Sequence, residues 1–149
     1  MRAWTVGVTI VAAAHAGEQH GMSVNSFTTI SLEPPLVIIS LKDDTRTCAL
    51  VRRAGSFGVT VLSAGQEELS DLFAGRLPDS AERMGRVETE TLVTGAPLIK
   101  GGLAYFDCRV KDSLQAGVNT MFLAEVVAAR SHGADPPLVY HNREYHRLA

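Results

Sequence analysis

Cysteine is scarce in this sequence, since Cys48 and Cys108 are the only two among 149 residues. A chain of this length with 46% hydrophobic residues buries a substantial core and does not need a disulfide for stability. We therefore expect two reduced thiols in a cytoplasmic protein, with a disulfide between them as the alternative. Cys48 has no histidine close to it in the sequence, which disfavours a catalytic thiol.

An excess of charge of one sign is also lacking. Lysine and arginine number 14 against 16 acidic residues, so the formal net charge is -2. Nucleic-acid binding normally requires a clustered basic surface, and we expect no such partner. No hydrophobic run approaches the length of a membrane span, so we expect no membrane association. The segment from Trp4 to Ala14 resembles a signal peptide weakly, but its alternating valines and isoleucine favour a first strand.

Familiar catalytic and nucleotide-binding signatures are missing as well. The sequence contains no G-x-G-x-x-G after a strand, no Walker A motif and no G-x-S-x-G elbow. Its histidines lack the spacing and context of a metal site, so we expect no metal. They are His15, His20, His132, His141 and His146.

The residues that are present predict short strands. Val6–Val11 and Ser26–Leu32 alternate in polarity, and turn residues at 16–21 favour an antiparallel pair between them. Pro34 and Pro35 interrupt the ladder, and Leu36–Leu41 is apolar on both sides, as in a buried strand.

Two helices are predicted after these strands. Asp43, Asp44 and Thr45 can cap a helix over about Arg46–Ala54, and Gly55 ends it. A capping-box pattern at Ser63–Gln66 opens a second helix, which stops at Gly75.

The remainder is mainly strand. Arg76–Arg86 is predicted as an exposed polar loop, followed by strands over Ala104–Lys111 and Thr120–Ala129 and by a closing hairpin around Asn142 and Arg143. Many strands with only two helices do not fit a doubly wound parallel sheet. We predict a single domain over residues 1–149, mainly β with helices, built as a small antiparallel barrel.

An uncharged polar cluster gives the main functional clue. Ser23, Asn25 and Ser26 offer small hydrogen-bonding groups that suit the edge of a neutral heteroaromatic ring better than a highly charged ligand. An ordinary solvated loop is the alternative interpretation.

This cluster lies in a stretch that resembles a known family. Gly21–Phe27 and Ser31–Leu36 are similar to the G-M-T-x-N-S-F and S-x-S-L-x-P-P segments of the flavin reductase-like family of FMN-binding proteins. The resemblance continues in order along nearly the whole chain and implies an antiparallel split β-barrel. Its later segments are Val59–Ser63, Phe73–Arg76, Gly95–Leu98, Cys108 and Pro137–Tyr140.

The resemblance also implies where the cofactor lies. The cofactor is FMN, with FAD as the alternative, and its ring and ribityl chain are expected against one loop and two strands. The implied contact residues are Ser23, Val24, Asn25, Ser26, Phe27, Ser31, Leu32 and Ser40. Our candidates for the FMN phosphate are Thr45 and Thr47 at the helix start, helped by Arg46 or Arg76, because free N–H groups there favour an anion. Arg76 as a solvated charge at a helix end is the alternative.

The expected activity follows from the same resemblance. It implies an NADH- or NADPH-dependent flavin reductase, a homodimer that supplies reduced flavin to a monooxygenase component. Such hydride transfer needs little acid-base machinery, so the lack of a catalytic cluster does not argue against it.

One departure from the family bears on the electron donor. The family commonly has A-G-D-H where this chain has Ala116-Gly117-Val118-Asn119. Asn119 is thus the candidate on the nicotinamide side, although it cannot become cationic. Two alternatives follow: a flavin-binding electron-transfer protein that does not use NAD(P)H, and a non-enzymatic barrel that binds another ligand. The chain also starts close to its first strand, which leaves truncation or a short natural start open.

Overall fold

The computed structural model describes residues 1–78 and 80–149; Asp79, part of the predicted polar loop, lies outside the described residues. The chain forms short strands, two α-helices and a 3₁₀ helix. In order these are β1 Val6–Gly7, β2 Thr9–His15, β3 Glu18–Val24, β4 Thr28–Leu32, β5 Pro35–Lys42, α1 Arg46–Ala54, β6 Ser56–Val61, α2 Glu67–Phe73, the 3₁₀ helix Ser80–Arg86, β7 Thr89–Glu90, β8 Leu98–Ile99, β9 Ala104–Ala116, β10 Asn119–Ser131, β11 Leu138–His141 and β12 Glu144–Arg147.

The main sheet has seven antiparallel strands in the order β3-β2-β6-β9-β10-β5-β4. Strands β3 and β4 are its edges and do not pair with each other, so the sheet is not closed. A second sheet places β11 between β1 and β12. This confirms the predicted mainly β, antiparallel split barrel, including the C-terminal hairpin.

The predicted pairing of the first strands is wrong. β2 pairs with β3, which begins at Glu18, so residues 18–21 are strand and only Ala16 and Gly17 form the turn. Both turn residues have positive φ, 51° and 83°, which allows a tight two-residue connection. β4 pairs instead with β5. Alternating polarity indicates that a strand exists, but it does not select the partner.

Helix α1 has the predicted bounds because both of its end signals are local. The Thr45 hydroxyl accepts a hydrogen bond from the Cys48 N–H at 3.2 Å. Gly55 has a φ of 69° and donates its N–H to the Val51 carbonyl, which ends the helix. The buried face of α1 packs on β2 and β3, and this fixes the helix N-terminus beside β3.

Helix α2 begins directly after the predicted capping segment. Its first residue is Glu67, Gln66 is at the N-cap position, and the Gln66 side chain accepts a hydrogen bond from the Ser63 N–H at 2.8 Å.

The segment after α2 differs from the prediction. The predicted polar loop contains the 3₁₀ helix, in which Ser80 and Met84 are buried. The Ser80 hydroxyl accepts the Leu77 N–H at 3.1 Å, a local bond that a count of polar residues does not reveal.

Alternate residues of β2 face two separate hydrophobic cores. Val11 and Ala13 lie in the barrel core with the buried residues of α1, whereas Ile10 and Ala12 face α2 and the C-terminal hairpin. Strand β5 alternates between buried and half-buried residues, so only one of its two apolar faces is fully buried, which differs from the buried strand that was predicted.

Both cysteines are buried free thiols, as expected. Burial, together with the adjacent Asp107 carboxylate, raises the pKa of Cys108 to about 12. Neither helix among the described residues is long and apolar enough to cross a membrane.

Candidate functional site

Three neighbouring cavities lie along the end of β3. The central cavity, about 360 Å³, is lined by residues 22–26 together with residues of β5, α2, β10 and the C-terminal hairpin. The inner cavity, also about 360 Å³, lies at the N-terminus of α1 and shares Met22, Ser23 and Ala74 with the central one. The outer cavity, about 730 Å³, lies beside the hairpin and shares Asn25, Ser26 and Tyr140 with the central one. The inner and outer cavities therefore adjoin different ends of the central cavity.

Internal hydrogen bonds hold the polar wall of the central cavity. The Ser26 hydroxyl donates to the Ser40 carbonyl at 2.9 Å and accepts the Ser40 N–H at 3.0 Å. The Asn119 amide donates to the Ser40 hydroxyl at 3.0 Å. The Ser23 hydroxyl donates to the Ser70 carbonyl at 2.6 Å. The structure thus brings together four predicted site residues. The hydroxyl groups of Ser23 and Ser26 both donate to backbone carbonyls of the protein, so neither has a proton left to donate to a ligand.

Asn25 is the exception in this wall. Its side chain is exposed, lines both the central and the outer cavity, and makes no hydrogen bond to another described residue. A free amide can donate to one ligand atom and accept from another. Asn25 is consequently the side chain of the loop that is best placed to recognise a ring edge.

Arg76 lies in the central cavity, where Asp71 and two tyrosines hold it. One guanidinium nitrogen donates to the Asp71 carboxylate at 3.1 Å, and the other lies 3.4 Å from the Tyr140 hydroxyl. Tyr145 donates its hydroxyl to the same carboxylate at 2.6 Å, and burial together with this bond raises the pKa of Tyr145. Arg76 lines the central cavity and not the inner one, so its help to Thr45 and Thr47 in binding a phosphate stays a prediction.

The inner cavity combines the start of α1 with two arginines. Thr45, Arg46 and Thr47 line it as predicted. Arg83, which the sequence analysis missed, donates Nε to the Ser80 carbonyl at 2.6 Å. Its Nη1 donates to the Gly21 and Phe73 carbonyls at 3.2 and 3.0 Å. These three bonds fix the guanidinium and leave both Nη2 donors without a partner among the described residues.

The pKa of His20 reflects the burial and the positive charge of this cavity. Its Nδ1 lies 2.8 Å from the Thr47 hydroxyl, and its pKa is lowered to about 4 by burial and then by the charges of Arg83 and Arg46. Positive charge beside a helix N-terminus favours an anion. No local sequence signal pointed to His20 or Arg83, since the bond from Arg83 to Gly21 spans 62 residues.

We expect His20 to make the ligand-free protein less stable in acid. The unfolded chain binds a proton to this histidine near pH 6.5 and the folded protein only near pH 4, so the free energy of unfolding falls as pH falls across this interval. After allowance for solvent screening the effect is on the order of 1 to 2 kcal/mol. Urea denaturation at several pH values measures it. His20→Gln should flatten the profile and His15→Gln, at an exposed position, should not; parallel profiles for wild type and His20→Gln would contradict the expectation.

Three predicted cofactor residues lie away from the cavities. Phe27 stacks on Phe106 with ring centroids 5.5 Å apart and packs against the barrel core. Ser31 and Leu32 lie on the edge strand β4, and the Leu32 side chain is 89% exposed. None of the three lines a described cavity, and their contact with flavin stays a prediction.

An open antiparallel barrel with a polar central cavity beside a cationic inner one defines the class of split-barrel proteins. The chain belongs to the flavin reductase-like family, because the domain described as "Flavin reductase like domain" matches residues 1–149.

Named relatives agree with this assignment. The NADH-dependent flavin reductase StyB of Pseudomonas fluorescens is 36% identical over 146 residues, covering 96% of this chain and 83% of StyB. The reductase component of 4-hydroxyphenylacetate 3-monooxygenase from Thermus thermophilus is 36% identical over 143 residues, covering 95% of this chain and 88% of that protein.

A solved structure supports the same fold. It is the NADH:FAD oxidoreductase of Streptomyces globisporus C-1027 in complex with NAD and FAD fragments, which superposes with a TM-score of 0.89 at 33% identity. The match covers 99% of this chain and 87% of that one. The predicted family, the fold and the oxidoreductase class are confirmed.

Proposed function

We propose that this protein binds FMN, reduces it with NADH and supplies the reduced flavin to a separate monooxygenase. The observation that carries the proposal is the junction, at Met22, Ser23 and Ala74, of the cationic inner cavity with a polar central cavity whose two cations are both ion-paired. FMN has the matching chemistry, because its ring is neutral and its phosphate is anionic. The names of the relatives, an NADH-dependent flavin reductase and a monooxygenase reductase component, support the electron donor and the partner.

The residues present fit this cofactor. Arg46, the free Nη2 of Arg83 and the N–H groups at the start of α1 would hold the phosphate. The backbone of residues 23–26 and the Asn25 amide would meet the ring edge without burying a charge. A volume of about 360 Å³ for the central cavity lies within the usual range of ligand pockets.

The residues of the protein contribute to the reaction by positioning the flavin and the second ring. Bound flavin supplies the redox chemistry, accepting a hydride and delivering the electrons onward. Ser26, Ser40 and Asn119 hold the cavity wall in one arrangement. Tyr140 and the Asp71-bound Arg76 close the opposite side and limit where a second ring can lie. The position that carries histidine in the family pattern is a neutral amide engaged with Ser40, so Asn119 positions the wall and does not transfer protons.

Anaerobic stopped-flow mixing tests the proposal. FMN bound to the purified protein should lose its absorption on mixing with NADH. A flavin that dithionite reduces but NADH and NADPH do not would favour the electron-transfer alternative. The absence of any spectral change on titrating FMN would favour the barrel that binds another ligand.

Replacing Asn25 with alanine should weaken FMN binding by about 1 kcal/mol or more, since the variant loses one side-chain hydrogen bond to the ring. Quenching of flavin fluorescence gives the dissociation constant. Gln19→Ala is a matched control, because Gln19 is an exposed amide on β3, the strand that precedes Asn25, and lies outside all three cavities. Unchanged affinity in Asn25→Ala would reassign Asn25 to the turn between β3 and β4.

The oligomeric state and cellular location complete the proposal. We infer a cytoplasmic location. We also infer a homodimer in which the flavin sites lie close to the interface, since the barrel leaves β3 and β4 as open edges and exposes Ile30 and Leu32 on β4. Light scattering at several protein concentrations tests the dimer, and a constant monomer mass would contradict it.

A further inference from the structure

The turn between β9 and β10 carries Asn119 to the wall of the central cavity. Asn119 is the first residue of β10, directly after the two-residue turn of Gly117 and Val118, and its amide holds the Ser40 hydroxyl. Residues 111–118 are all exposed, so burial of apolar surface does little to fix this end of the hairpin. The position of Asn119 therefore depends on polar contacts around the turn.

The residue that makes these contacts is Asp43, which follows the last residue of β5. Its carboxylate accepts hydrogen bonds from the Thr120 hydroxyl at 2.6 Å, from the Arg52 guanidinium at 3.0 Å and from the Gln115 side-chain amide. Its backbone N–H donates to the Val118 carbonyl at 2.9 Å. One residue thus binds both strands of the hairpin, the turn between them and helix α1.

The bonds around this carboxylate support one another. The Gln115 amide also donates to the Gly117 carbonyl at 2.9 Å, and Arg52 also donates to the Thr120 hydroxyl. The hydrogen bonds from Thr120 and then from Gln115 lower the pKa of Asp43, so the carboxylate is charged at neutral pH. Hydrogen bonds to a charged acceptor are stronger than those between neutral groups.

Asn119 lies between the two residues of β10 and the turn that Asp43 holds. Asp43 binds Val118 through its carbonyl and Thr120 through its hydroxyl. Successive side chains of a strand point to opposite faces, so holding Thr120 on one face fixes Asn119 on the other. Asp43 itself lines none of the three cavities.

We propose that Asp43 is a positioning residue for the ring-binding wall: it fixes the turn between β9 and β10 and thereby holds the Asn119 amide against Ser40. This inference rests on the proposed function and deepens it, because the wall is the surface that meets the flavin ring. Without Asp43 the wall keeps its residues but loses their fixed arrangement, and a ligand then has to order them on binding.

NMR of the flavin-free protein tests the positioning directly. In Asp43→Ala the backbone order parameter of Asn119 should fall, and its side-chain amide signals should shift as the bond to Ser40 is lost. Gln115→Ala removes one exposed partner of the carboxylate and should have the same effect to a smaller extent. Asp112→Ala, which removes another exposed carboxylate of the hairpin, should change neither signal. Unchanged Asn119 signals in both Asp43→Ala and Gln115→Ala would overturn the inference.

Titration with FMN and with riboflavin, which lacks the phosphate, provides the second measurement. Asp43→Ala should raise both dissociation constants by the same factor, on the order of tenfold, because both ligands meet the ring wall. In an Asn119→Ala background the same substitution should add nothing, since the amide that it positions is already absent.

Two results of these titrations would contradict a positioning role. A general loosening of the protein would make the effects of Asp43→Ala and Asn119→Ala additive, and a larger loss for FMN than for riboflavin would assign the effect to the inner cavity. Either result would overturn the inference. Altered Asn119 signals in Asp43→Ala, together with a wild type that binds no flavin, would overturn the proposed function and uphold the positioning of Asn119 by Asp43.

Discussion

Replacing Arg83 with alanine is expected to raise the dissociation constant of FMN on the order of 100-fold, equivalent to about 3 kcal/mol. The Arg83 guanidinium is half-buried and fixed by three backbone carbonyls, so its two remaining donors need no reorganisation to meet a phosphate. Charge-assisted hydrogen bonds of this kind are the strong ones. Fluorescence titration of FMN against the variant measures the loss.

A second readout separates lost charge from lost folding. Because burial lowers the pKa of His20 most and the charge of Arg83 lowers it further, the His20 pKa in folded, ligand-free Arg83→Ala should rise above about 4 but stay below the 6.5 of an unfolded chain, as followed by NMR. Arg83→Lys keeps the charge without the planar fork and should recover part of the affinity. Arg109→Ala is the matched control, because this exposed arginine of β9 lies outside the three cavities. Wild-type affinity in Arg83→Ala would remove Arg83 from the phosphate site.

Replacing Asp107 with alanine should lower the free energy of unfolding by about 4 kcal/mol. The carboxylate is fully buried and accepts hydrogen bonds from the Val93 N–H, the Thr94 N–H and the Thr94 hydroxyl at 2.8, 2.8 and 2.5 Å. Leaving such donors without an acceptor costs about 1 to 3 kcal/mol each, reduced where water reaches them. Urea denaturation gives the value.

The control for this variant lies on the same strand. Asp112 is exposed and accepts only the N–H of the next residue, so Asp112→Ala should change the free energy of unfolding by less than about 0.5 kcal/mol. Equal losses in the two variants would show that the three hydrogen bonds to Asp107 contribute little. The bonds to Asp107 hold residues 93 and 94, which lie just before Pro97. Pro97 packs closely on β6, since its carbonyl oxygen would lie 2.5 Å from a Cβ added at Gly58.

The sequence predicts elements well where the signals are local. Helix α1 has the expected bounds because Thr45 and Gly55 act within one turn of its ends. The C-terminal hairpin was also correct, since Asn142 and Arg143 form its turn with positive φ. The pairing of β2 was wrong, because the choice between two similar strands depends on a turn of only two residues that the sequence pattern did not single out.

The same distinction between local and distant signals applies to the residues of the site. The polar loop at residues 23–26 and Asn119 were found because the motif is continuous in sequence, and they do line one cavity. Arg83 and Tyr145 were missed because their partners lie 62 and 74 residues away. The ion pair of Arg76 with Asp71 was not predicted, since a charge at a helix end does not reveal which carboxylate will pair with it.

The mutual bonds among Ser26, Ser40 and Asn119 give the cavity wall a fixed shape without any ligand. A ligand that meets such a wall loses its own freedom but does not have to order the protein, so less of the interaction energy is consumed on binding. The residence time of any ligand at this wall is then governed by the contacts that break on its release, so single substitutions in the wall can tune that time.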